Sequence, residues 1–331
     1  MAMATSTKSR SSNFLYQVLT LPTKNTRLFL PLFTIITLIN FIFILCNFFS
    51  MQPLSADIAL KAKALVHTDP TSPDYSLLVA AIQKEANELF FELIIYTVIA
   101  FLVNSFLRII TFFAVAVTCS GELLTLRELL VKTKRNMKGP IITHLFGVLL
   151  VLLCVLPLIL ITLFPLFIKK LGSYTLIMLS ILVLVLFLLA IILLLYLSIV
   201  WPLSMAVSVV ETGCYGPGAF KRAAELAKEK KMKGFLIILA SFLLVGALYA
   251  INNMILKYSP SSSAASVLVL GFFYTFIGEL VGMYVLIAVV IYYYECKKSR
   301  GEGEEEQALK SGDFVYKMVP TKAVHVDEEL P

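Results

Sequence analysis

Three polar side chains stand inside runs of apolar residues: Glu279 in "IGELVG", and Asn104 with Arg108 in "VNSFLRII". A charge at mid-bilayer costs at least about 2.5–3.5 kcal/mol on insertion scales, so such a residue marks a helix-fixing contact, an ion or proton path, or a ligand site. Asn104 and Arg108 are four apart and share one face of a helix. Counted from the ends of their runs, Asn104 lies 14 residues deep, Arg108 10 and Glu279 15, so the three form one candidate intramembrane polar cluster. Gly278 and Gly282 flank Glu279 with the GxxxG spacing that lets helices approach closely, which favours a structural contact over a transport site. Arg108 is also long enough to snorkel toward headgroups.

Other chemistry is sparse. His67, His144 and His325 are dispersed, and no HExxH, GxSxG or paired-carboxylate pattern accompanies them. Glu122 and Glu211 each follow a long apolar run; a carboxylate pair there could bind a cation or assist hydrolysis, but an acid near a helix start also complements the helix dipole. The five cysteines have no CxxC pair and no clustered His, which points to neither a metal site nor a disulfide framework. Cys119, Cys214 and Cys296 sit at run edges, and Cys296 in "YYYECKKSR" is the candidate for palmitoylation. No catalytic residue, metal or cofactor is expected.

The elements that must position these residues are long helices. With 59% hydrophobic and 15% charged residues in 331, the chain is too apolar for a soluble domain. Runs long enough to cross a hydrocarbon core, about 20 residues, occur at about 28–50, 89–118, 141–168, 173–210, 235–256 and 264–294. The expectation is an all-α membrane protein with six transmembrane helices. The first run is read as a retained span, since it lacks the short core and cleavage site of a secretory signal.

Lys and Arg accumulate on the cytoplasmic side. Segments 1–27, 119–140, 211–234 and 295–331 hold 4, 5, 6 and 6 of them, against 3, 2 and 1 in 51–88, 169–172 and 257–263. Both termini are therefore expected in the cytosol, and the net charge of +7 is expected to face anionic lipid. No basic and aromatic interleaving points to nucleic acid. The domain reading is a cytosolic segment 1–27, a membrane domain 28–294, and a disordered cytosolic tail 295–331. The outer loop 51–88 reads as a helix–turn–helix cap around "DPTSPDY".

Residues 122–139 and 211–234 read as a repeat: an acid after a span, a basic stretch, then Met-Lys-Gly before the next span. "FLYQVLTLPTKNTRLFLP" is a looser third copy. Each is expected to be an amphipathic helix in the headgroup plane. In the first, Leu123, Leu126 and Leu130 form the apolar side, and Arg127, Lys132, Lys134 and Arg135 the candidate lipid contacts. In the second, Phe220, Ala223 and Ala227 give a thinner apolar side beside Lys221, Arg222, Lys228, Lys230, Lys231 and Lys233. Before it, Trp201-Pro202 is the expected kink in a run too long for one straight span, and "GCYGPG" the turn that releases the chain along the membrane.

The stretch "GPGAFKRAAELAKEKKMKGF" after Glu211 resembles a motif of multi-span membrane proteins, including the membrane domain that precedes some glycerophosphodiester phosphodiesterases. The whole layout resembles a plant family of uncharacterised transmembrane proteins. Ala223 stands where the motif usually has Ser. The resemblance implies an endoplasmic-reticulum, other endomembrane or plasma-membrane setting with no settled activity; no soluble phosphodiesterase domain is present, so that enzymatic activity does not carry over. The expected function is a non-enzymatic membrane-organising or adaptor protein on anionic lipid, with protein partners or a second copy of itself. The alternative is a small transporter or channel built on Asn104, Arg108 and Glu279.

Overall fold

The computed structural model describes residues 14–167, 173–211, 213–258 and 264–300. Every regular element among them is helical: α1 over 14–24, α2 Thr26–Cys46, α3 Gln52–Val66, α4 Pro73–Cys119, α5 Leu126–Asn136, α6 Lys138–Phe167, α7 Ser173–Val210, α8 Pro217–Glu229, α9 Lys231–Tyr258 and α10 Ala264–Ser299. Six segments are long and apolar enough to cross a membrane: Thr26–Val66, Pro73–Cys119, Lys138–Ile159, Ser180–Val210, Lys231–Ile255 and Ala265–Ser299. The all-α fold expected from hydropathy, with six helical segments long and apolar enough to cross a membrane, is the one observed.

The outer loop forms the expected helix–turn–helix, α3, a turn over 67–72 and the start of α4, and its two helices continue the first two apolar helices as one hairpin. Thr26–Val66 is a single rod of 41 residues, with a wide π-turn, Asn47–Met51, joining α2 to α3. Pro53 has no N–H to offer the carbonyl one turn back, and the widened turn before it absorbs that break. Its partner α4 has 47 residues, about 70 Å of helix against a core of about 30 Å. Ser72 caps α4 by accepting the Asp74 N–H, with Pro73 in the first turn. Beyond the core, Ser50 Oγ donates to Glu92 at 2.9 Å, and Lys61 pairs with Asp57 at 2.8 Å and with Glu85.

α10 packs against α2, α4, α7, α8 and α9. The buried side chains gather toward one end: Leu107–Thr118 of α4, Leu197–Val207 of α7 and Met283–Cys296 of α10. Toward the other end the apolar side chains lie on the outside, Leu184, Leu189, Leu243 and Phe273 among them. Hydrocarbon solvates such side chains as well as a neighbouring helix does, so this end needs no tight core.

The four basic-rich segments meet at the packed end. Asn25 Nδ2 donates to the Leu124 carbonyl at 3.5 Å, Lys230 Nζ to the Glu295 carbonyl at 2.8 Å, and Arg300 Nη2 to the Glu225 carbonyl at 3.1 Å. Short helices α1, α5 and α8 each precede a long apolar helix, α2, α6 and α9. α10 runs to Ser299, so residues 295–299 are helix rather than the start of a disordered tail. The remainder of that tail, 301–331 with His325, and residues 1–13 lie outside the described residues.

Candidate functional site

α4 and α10 bring Asn104, Arg108 and Glu279 to the wall of one cavity of about 380 Å³. The three are not directly bonded. Glu279 Oε1 instead accepts a hydrogen bond from Asn40 Nδ2 of α2 at 2.9 Å, and Asn104 Nδ2 donates to the Ala100 carbonyl of its own helix. Among the described residues Arg108 makes no hydrogen bond or ion pair, though its charge is within electrostatic reach of Glu279 and His144. Asn40 lies in the first apolar run and escaped sequence reasoning; an amide at that depth was its only signal.

The glycine pair does not close a helix seam, as its spacing suggested. A Cβ added at Gly278 or at Gly282 would meet no atom within 4 Å, and both line the cavity in front of Arg108. Small residues here make space instead of contact. A second cavity, about 390 Å³, adjoins the first through Arg108, Pro202 and Ser241, and reaches Gly234 and Tyr292 near the basic end. Its wall is mostly apolar side chains of α9 and α10.

α7 is continuous through Pro202 to Val210. Trp201 is a packing residue in the bundle: its indole lies against Gly147 of α6 and 5.4 Å from the His144 ring. His144 is buried, stacks on Phe101 at 5.7 Å, and sits 2.8 Å from Ser105 Oγ. That hydroxyl donates to the Phe101 carbonyl at 2.6 Å, which leaves its lone pair for the His144 N–H. His144 is thus a satisfied packing residue.

At the basic end the two amphipathic segments differ. α5 begins with a capping box: Thr125 N–H donates to Glu128, and Glu128 N–H to Thr125 Oγ1. It buries Leu129 and Thr133, while Leu126 and Leu130 line an apolar groove with α2 and α4. Leu123 precedes the helix and is exposed. α8 corrects the expectation of a helix lying apolar side down in lipid. Its Ala219, Phe220, Ala223, Leu226 and Ala227 are buried, and α8 packs on α7 and α10. The alanines looked like a thin lipid face, but small side chains let helices come close. Ala223 is fully buried, which accounts for an apolar residue where the motif usually has Ser. The turn before α8 is tied down as well: Gly216, at φ +58°, donates its N–H to Thr143 Oγ1 of α6 at 2.9 Å.

Four of the ten basic candidates are neutralised internally. Lys132 pairs with Glu122 at 2.6 Å, Arg222 with Glu211 at 3.5 Å, and Lys230 and Lys233 with Glu295 at 3.6 and 2.7 Å. Arg127, Lys134, Arg135, Lys221, Lys228 and Lys231 are exposed. Glu122 and Glu211 therefore serve their own downstream bases, Glu211 also accepting from Tyr293 at 2.8 Å. Cys296, the candidate for palmitoylation, is fully buried, next in sequence to the Glu295 that pairs with Lys230. Cys119 and Cys214 are partly buried, and burial raises the Cys214 thiol above its ordinary pKa. Among the described residues no group of three or more His, Cys, Asp or Glu is placed to hold a metal.

The model of a family described as "Domain of unknown function (DUF8558)" matches residues 15–327. The chain belongs to this family. No curated protein and no solved structure matches it. The DUF8558 match takes in all six spans, the paired cavities and the basic end, so both candidate regions are parts of the family's domain.

Proposed function

We propose that this DUF8558 protein is a non-enzymatic membrane-organising or adaptor protein whose basic end lies on an anionic bilayer surface. The observation that carries this reading is that six of the ten candidate cations, Arg127, Lys134, Arg135, Lys221, Lys228 and Lys231, stay exposed after internal pairing of the other four, at the end where α1, α5 and α8 gather. Each contributes about 1 kcal/mol near an anionic surface. Beside them a cavity of about 690 Å³ is lined by Lys24, Lys230 and Lys298, with Glu295 the acid among them. The positive-inside rule puts this end, and both termini, in the cytosol. The likeness of 216–235 to the membrane domain preceding some glycerophosphodiester phosphodiesterases, and of the layout to a plant family, supports an endomembrane or plasma-membrane setting. Protein partners or a second copy would dock at the same end.

The full chain in neutral maltoside micelles tests this. Added phosphatidylserine should raise the thermal midpoint and be retained in native mass spectrometry, where phosphatidylcholine is not. Replacing these six cations with Gln should strongly weaken that preference, whereas Lys132→Gln should leave it intact. A six-fold variant that keeps the wild-type preference sinks the reading. A second reading, a small transporter or channel, draws on the cavity shared by Asn104, Arg108 and Glu279; it requires Glu279→Gln to change solute flux in proteoliposomes.

A further inference from the structure

We propose that the crevice between α4, α7, α9 and α10 binds a single-chain anionic amphiphile, its carboxylate or phosphate head on Arg108 and its hydrocarbon chain along α9. Arg108 is exposed to the crevice, yet among the described residues it has no hydrogen bond or ion pair. An intramembrane guanidinium left so is costly, and it is compensated by whatever anion reaches it. Glu279 is within electrostatic reach of Arg108 but forms no ion pair with it among the described residues, its Oε1 accepting from Asn40 instead, so the guanidinium N–H groups stay available.

The surroundings select an amphiphile over a soluble ion. Ile237, Ile238, Phe242, Val285 and Val289 make the wall apolar. The three hydroxyls on this wall are spent on backbone carbonyls, Ser241 on Ile237 at 2.7 Å, Ser198 on Leu195 at 2.7 Å and Tyr292 on Lys230 at 3.1 Å. Arg108 is therefore the donor left for a head group, and a bidentate guanidinium suits carboxylate or phosphate. The two cavities, about 390 and 380 Å³, fall within the range of small-molecule sites. Gly278 and Gly282 keep the inner one open.

The route in is also built. The mouth lies at Gly234 and Tyr292, beside Lys230 and Lys233, and from Gly234 to Val245 the wall descends 11 residues of α9, about 16 Å. Lys230 and Lys233 at that mouth are paired with Glu295, so the attraction that holds the head is that of Arg108 itself, and the chain would stay among side chains no more polar than the bilayer.

The full chain in maltoside is titrated with labelled oleate, with oleyl alcohol, lysophosphatidate and inorganic phosphate as competitors. One oleate per chain should bind, displaced by lysophosphatidate and not by oleyl alcohol or phosphate. Arg108→Gln should weaken oleate about tenfold or more. Gly278→Leu and Gly282→Leu, whose side chains enter open space, should weaken it comparably with a thermal midpoint close to wild type. Equal competition by oleyl alcohol, displacement by inorganic phosphate, or wild-type affinity in Arg108→Gln or in the folded leucine variants would overturn the proposal. The variant lacking the six exposed cations should still bind oleate, so the crevice and the surface reading stand or fall separately.

Discussion

Asn40 and Glu279, 239 positions apart, meet across α2 and α10 at 2.9 Å, with the amide donating to the carboxylate. Interhelical polar contacts of this kind couple by about 0.6 kcal/mol on average and up to about 1.7. Asn40→Leu and Glu279→Leu should each lower the unfolding midpoint. The double variant should lose less than the sum of the two, by a coupling in that range. Additive losses would show that the bond carries no stability.

Gly147 gives way to the Trp201 indole, and a Cβ there would overlap the ring. Gly147→Ala should destabilise the α6–α7 pair by about 1–3 kcal/mol, the usual cost of overpacking. Trp201→Leu should recover much of that loss in the double variant. Thermal unfolding of the four proteins reads the cycle, and a Gly147→Ala protein as stable as wild type would contradict the contact.

The hydrogen bonds from Thr125 hold the Glu128 carboxyl below its ordinary pKa. Because the folded value lies below the unfolded one, about 4.3, the cap's contribution is complete above the unfolded value and is lost as pH falls through the folded one. Hydrogen exchange at the first turn of α5, corrected for its intrinsic rate, should therefore accelerate on acidification below about pH 4. Glu128→Gln, which keeps the capping pattern without titrating, should flatten that dependence.

Cys296 is fully buried and Cys46 exposed. A water-soluble maleimide added to the full chain in micelles should leave Cys296 unmodified until the protein is denatured. Palmitate on Cys296 of the folded protein, detected by acyl exchange, would show that the end of α10 opens.

The pattern of what could be read in advance is physical. Six spans and a basic end were legible because hydropathy and charge are properties of one short window of chain. Arg108, Asn104 and Glu279 were legible as a cluster because helical rise converts residue count into depth. Asn40 was invisible as their neighbour, since nothing local says which helix stands beside α10. The GxxxG spacing misled for the same reason: Gly278 and Gly282 face open space, and only the position of α9 and α4 creates it.

By itself, then, the sequence determined the class of protein, the number of crossings, the end that carries the charge and the residues with polar chemistry in the apolar runs. Tertiary structure decided that α8 turns its alanines to α7 and α10, that Lys132, Arg222, Lys230 and Lys233 are neutralised within the molecule, and that Arg108 faces a crevice with no ion pair among the described residues. The reason lies in the solvent. Lipid tails are as apolar as a packed helix, so the face of a span that meets protein and the face that meets hydrocarbon carry the same residues, and only assembly tells them apart.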